Sequence, residues 1–156
     1  MPSVNLMALT PFNKNKDIWN YFFKENIMAN LMANGCDQAI FSDEVPGLPH
    51  PALSNNIQDQ RDFFTRVQKQ EESVAKLKEK LATGYAIISR LVTGPETRAL
   101  IKQAETGVPL GQEYRLRHLC RNIIALMDMK YASNDISLNA VLIGKWTAFR
   151  WTHRYG

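Results

Sequence analysis

The sequence predicts an all-α protein: a bundle of five or six helices with an extended N-terminal arm and a long proline-containing loop after the first helix. Three observations predict it. Apolar residues recur at spacings of three and four along most of the chain. Alternating β-branched runs, the signature of strands, are missing, and Met and Leu dominate the apolar set. Clusters of Gly, Pro and Asn punctuate the chain and leave helix-length segments between them.

The elements follow in order. Residues 1–13 form the arm, with Pro2 and Pro11 as helix breakers. The first helix is expected from about Lys16 to Met32. Ile18, Trp19, Phe22, Phe23, Ile27, Leu31 and Met32 fall on one face, and Asn34-Gly35 supplies a left-handed C-terminal cap. The loop runs from Cys36 to Ser54, where Pro46, Gly47, Pro49 and Pro51 disfavour helix. Within it Ala39, Ile40 and Phe41 form a short apolar patch expected to tuck into the core. A loop of this length in a small domain is unusual and often functional.

A long second helix, or two with a break near residue 70, is expected from about Asn56 to Val92. Positions 63, 67, 70, 74, 77, 81, 84, 88 and 91 form an apolar seam interrupted by Gln70, with Gly84 as a weak point. The seam repeats every 3.5 residues, the spacing of helix packing or a short coiled coil. The polar side from Gln68 to Lys80 faces water. Thr93-Gly94-Pro95-Glu96 ends this helix, and Pro95 starts the third, about Pro95 to Glu105, with Leu100, Ile101 and Ala104 inward. Residues 106–111 form a linker. The fourth helix is expected from about Gln112 to Lys130, with Leu116, Leu119, Cys120, Ile123, Ile124 and Met127 as its apolar stripe and Arg115, Arg117 and Arg121 off it. A turn at 132–135 precedes a last helix, about Ile136 to Thr152. Residues 1–94 and 95–156 thus read as an N-terminal helical part and a C-terminal basic helical part of one compact unit.

The chain has 156 residues, 45% of them hydrophobic and 22% charged. That suffices for a core without disulfides or metal, and it excludes collagen, a disulfide scaffold and a wholly disordered chain. No run of 18 apolar residues is present and the first dozen residues lack a secretory pattern, so the expectation is a cytoplasmic protein, as an intracellular particle or virion, without a membrane partner. Cys36 and Cys120 read as reduced, free thiols, and the three histidines have no zinc-ligand spacing. Cys120 is two residues from His118, on another helix face, and reads as a buried structural thiol. There is no phosphate-cradling glycine loop and no nucleophile elbow. The adjacent carboxylates Asp43 and Glu44 sit in a loop, and Glu71 and Glu72 on a polar helix face. No catalytic set, cofactor or metal site emerges, and the expectation is a protein that is not an enzyme.

Charge is uneven. Residues 1–78 carry a net −1 and residues 79–156 a net +5. The excess falls on Arg115, Arg117, His118 and Arg121, and on Lys145, Arg150, His153 and Arg154, the latter interleaved with Trp146, Phe149, Trp151 and Tyr155. Basic residues bind phosphate by releasing counterions, and aromatics stack on unpaired bases. Arg115, Arg117, Arg121, Lys145, Arg150 and Arg154 are therefore the expected nucleic-acid-facing residues. A solvated helix face followed by a core-packing aromatic helix is the alternative.

Three segments resemble copia-type retrotransposon Gag proteins. Residues 9–41, LTPFNKNKDIWNYFFKENIMANLMANGCDQAIF, resemble the family's opening, with Phe12 and Trp19 on its aromatic positions. VAKLKEKLATGYAIISRLVTGPETRALI resembles its next helical stretch, and MDMKYASNDISLNAVLIGKWTAF a later helix, turn and Leu-rich helix. The chain departs from the family at Asn13, where the family usually has Gly, and at Gln112-Glu113-Tyr114, where it often has Trp-x-x-Leu. The resemblance implies a capsid-like domain that assembles into a shell, packages RNA and performs no catalysis. Phe12, Trp19, Phe22, Phe23 and Phe41 are the expected core or assembly aromatics, Trp19 as core packed against helix two or as an intersubunit contact. The arm is the element expected to reach a neighbouring subunit of a homo-oligomer. The other classes are a helical nucleic-acid-binding module and a protein–protein adaptor dimerising through the 3.5-residue seam.

Overall fold

The computed structural model describes residues 10–131. The expected last helix, with Lys145, Arg150 and Arg154, and most of the arm lie outside the described residues. Those described form helices and connecting turns, with no strand among them.

The first helix, α1, spans residues 19–33 in three continuous pieces: Trp19–Phe22, a π-helical Phe23–Met28, and Ala29–Ala33. The wide turn has a sequence cause. Phe22 and Ile27 are both buried although five residues apart, and a turn with i→i+5 bonding returns them to one face. Ile27 and Leu31 then resume the ordinary spacing of four. Met32, expected inward, is 62% exposed because it lies one position past that stripe. Gly35 takes φ +67°, and the N–H of Cys36 donates to Leu31 O at 2.8 Å, the left-handed cap that Asn34-Gly35 predicts.

A short helix, α2 (Asp37–Phe41), follows directly. The loop expected from Cys36 therefore begins only after residue 41, since the prolines that disfavour helix start at Pro46. Ala39 and Ile40 are buried, whereas Phe41 stays 41% exposed with its ring edge toward Phe23.

Helix α3 (Ile57–Leu91) runs unbroken for 35 residues, roughly 50 Å. The Asn56 side chain caps it, accepting from Gln58 N–H at 2.9 Å. The 3.5-residue seam holds along its length, but burial is graded. Leu81, Gly84, Ile87, Ile88 and Leu91 are buried, while Phe63, Val67, Gln70, Val74 and Leu77 are only half-buried. Gly84 is the point of closest approach to α2. A Cβ there would lie 2.5 Å from Ile40 Cδ1 and 3.5 Å from Cys36 Cβ. The expected weak point is thus where the two helices meet.

Helix α4 (Pro95–Thr106) starts at its proline and buries Ala104. Helix α5 is described over residues 115–131. Its stripe of Leu119, Cys120, Ile123, Ile124 and Met127 is buried as expected. Tyr114, at φ +53°, sets the turn into it. One hydrophobic core draws on α1 to α5 and on Phe12, so both halves of the sequence share it. No helix among the described residues is long and apolar enough to cross a membrane.

Candidate functional site

Three places in the fold concentrate features that a solvated bundle does not require. The first is the aromatic cluster at the end of the arm. Phe12 is 8% exposed, and its N–H donates to Leu91 O at 2.8 Å. Its ring lies edge-on to Trp19, Phe22 and Tyr131, with centroids 4.8–5.3 Å apart. The arm is the element expected to reach a neighbouring subunit; Phe12 packs on its own chain, and residues 1–9 lie outside the described residues. Trp19 is 1% exposed, and its indole N–H donates to the Asp128 carboxylate. Rings from Phe12, Phe22, Phe23 and Tyr131 surround it. Phe12, Trp19 and Phe22 are core, Phe23 packs half-buried against it, and Phe41 lies at its edge.

The second is an arginine clamp. Arg117 was expected to face nucleic acid, but it is 4% exposed. Its Nε donates to Ala39 O at 2.7 Å and its Nη2 to Glu44 O at 2.9 Å. Its guanidinium also lies 5.5 Å from the Tyr114 ring centre. One turn on, Arg121 donates to Ile40 O at 2.7 Å and Ser42 O at 2.9 Å, and pairs with Asp43 at 2.7 Å. That hydrogen bond and the guanidinium charge hold the exposed Asp43 carboxyl below its ordinary range. Arg115 is half-buried and reaches Glu105 O at 3.4 Å. Arg117 and Arg121 satisfy carbonyls at the end of α2, where orphaned acceptors need donors, and Arg115 does so near the end of α4. Arg117 and Arg121 therefore hold α2 and the first loop residues onto α5 and do not form a free basic face; of the set, only Lys145, Arg150 and Arg154 fall outside the described residues. Asp43 and Glu44, as adjacent loop carboxylates, take part in this clamp, Glu44 through its carbonyl.

The third is the N-terminal half of α3. Arg66 ties the proline loop to it by donating to His50 O at 3.1–3.3 Å. A groove of about 670 Å³ separates loop residues Val45, Pro46 and Leu48 from Gln70, Val74 and Ala75 of the helix. Leu53 is 92% exposed, Ile57 69% and Phe64 67%. Ile57 and Phe64 stand two turns apart on one side of the helix.

Cys36 and Cys120 are buried and unbridged. Burial pushes the Cys120 thiol up to about 12 and raises Cys36 as well, the opposite of what a nucleophile needs. No group of three or more metal-ligating side chains occurs among the described residues. Comparison of the chain with protein-family models, with curated proteins and with solved structures returned no match.

Proposed function

We propose that this chain is a non-enzymatic structural protein of coat or capsid type, which assembles with copies of itself through the projecting half of α3 and encloses nucleic acid. The carrying observation is the exposure of Leu53, Ile57 and Phe64 beside a helical seam that is only half-covered by the proline loop. Large exposed apolar side chains at the start of a helix and in the turn leading into it mark contact surfaces when they are grouped. A 3.5-residue seam suits packing against a second copy of the same helix. The resemblance of three segments to copia-type Gag proteins points the same way. The nucleic-acid part rests on the C-terminal charge excess, with Lys145, Arg150 and Arg154, C-terminal to α5 in the sequence, as its remaining candidates, because Arg115, Arg117 and Arg121 make hydrogen bonds within the fold.

Electron microscopy and sedimentation of concentrated protein, with and without RNA, test this reading. Shells, rods or concentration-dependent oligomers are expected. Ile57→Lys with Phe64→Lys should abolish them while leaving the helical circular dichroism unchanged, since neither side chain contributes to the core. A monomer at every concentration, with RNA present or absent, overturns it.

A further inference from the structure

We infer that the basin between α2, its following turn and the middle of α3 binds a phosphoryl group. The basin holds about 290 Å³, and its charged lining is Arg117, Lys76, Lys80 and Glu44. This inference stands apart from self-assembly: the basin is a different surface from the Ile57–Phe64 side of α3.

The buried guanidinium carries the argument. A charge removed from water is costly unless an opposite charge compensates it. Arg117 is 4% exposed, and no carboxylate among the described residues forms an ion pair with it; Asp43, paired with Arg121, attracts it only as a secondary charge. Two carbonyl dipoles and an aromatic face are its compensation. Its Nη1 makes no hydrogen bond among the described residues and is the part of the guanidinium that solvent reaches. Across the same basin stand Lys76 and Lys80, four residues apart and hence on one face of α3. Neither has a carboxylate partner among the described residues. The Ser42 hydroxyl accepts from Glu44 N–H at 3.0 Å and retains its own proton to donate.

Three cations thus share a small concave site with one carboxylate. Like charges held together repel, and an anion with several acceptor oxygens relieves that repulsion while satisfying the vacant donors. A tetrahedral phosphoryl group carries the charge and the acceptors that this arrangement lacks. The volume lies at the lower end of the range for ligand pockets, so it admits one or two phosphoryl groups and leaves any attached nucleoside outside. The phosphoryl group can come from a small polyphosphate or from the backbone of an RNA strand.

The experiment is calorimetric titration of the full chain with sodium pyrophosphate and, separately, with a short oligouridine. Binding of at least one probe is expected. It should weaken roughly tenfold for Lys76→Gln alone and about a hundredfold for Lys76→Gln with Lys80→Gln, as loss of charge-assisted hydrogen bonds implies. Lys102→Gln, an exposed change on α4, should leave it unaltered. Loss of pyrophosphate binding assigns the small anion, and loss confined to oligouridine assigns the RNA backbone. If neither probe binds, or if Lys102→Gln weakens binding as much as the double change, the basin is no phosphoryl site. Assembly measured in parallel separates this outcome from failure of the coat-type reading.

Discussion

Arg117 shows how much one residue can alter a reading. Helical periodicity places it beside the apolar stripe of α5, so from the sequence it is a surface cation. Its partners, Ala39 O and Glu44 O, lie 78 and 73 residues away in the chain, and local spacing carries no signal of them. Arg117→Ala should lower stability by roughly 1–3 kcal/mol, because it leaves the buried Ala39 carbonyl without its donor, whereas the more exposed Glu44 carbonyl can turn to water. Arg117→Lys should recover only part, since one ammonium cannot reproduce the guanidinium fork. Chemical denaturation of both variants checks this; equal stability of Arg117→Ala and the parent would remove the clamp. Cys120 makes a pH prediction. Its folded-state pKa is raised from 9.0 to about 12, so folding holds the thiol protonated while the unfolded chain releases its proton. The linkage cost is absent below pH 9 and grows as pH rises toward 12, at up to about 1.4 kcal/mol per pH unit. Cys120→Ala should flatten the alkaline side of a stability–pH curve, even if the small cavity it leaves lowers the whole curve. Trp19, legible as core from its spacing, has a feature its spacing does not show, the indole bond to Asp128. Trp19→Phe removes that donor and should cost about 1–2 kcal/mol, against about 3–5 for Trp19→Ala.

At the scale of elements, the sequence was most legible where side chains follow one period. Asn56 and Val92 bound α3 as its caps, at the limits expected from the seam. The π turn of α1 is not legible in the sequence, because a spacing of five between Phe22 and Ile27 looks like an imperfect α pattern unless both are known to be buried. Helix α2 is not legible in the sequence because its five residues are shorter than one hydrophobic repeat and adjoin a proline-rich loop. The seam does not show the role of Gly84 for the related reason that its lack of a side chain is what admits Ile40. Gly84→Leu should therefore separate α2 from α3 and destabilise by roughly 1–3 kcal/mol or more. Gly84→Ala should cost less, because a gain in helix propensity near 1 kcal/mol offsets part of the clash with Ile40. Thermal unfolding of the pair, ordered Gly84→Leu below Gly84→Ala, is the check; the reverse order would place the contact elsewhere.

Across the described residues, the charge polarity that divides the sequence at residue 78 does not divide the fold. One core takes residues from both halves, and Arg117 and Arg121 bring their positive charge inward to bind the N-terminal half. What does divide the fold is burial along α3. Its C-terminal portion from Leu81 to Leu91 is set in the core, and its N-terminal portion is half-covered. Local opening follows the number of buried apolar contacts, so the two portions should differ in stability although they form one continuous helix. In dilute protein, amides of residues 61–74 should exchange with solvent orders of magnitude faster than those of 84–91. The latter should open only with the whole core, together with Leu31, Ile40 and Ile123. The proposed assembly through Ile57 and Phe64 would add the missing contacts, so protection of 61–74 should then rise with protein concentration while that of 84–91 stays fixed. Hydrogen exchange followed by mass spectrometry at two concentrations resolves this. Uniform slow exchange along α3 in the monomer would show that the helix needs no partner. Fast exchange of 61–74 at every concentration would show that no copy docks there.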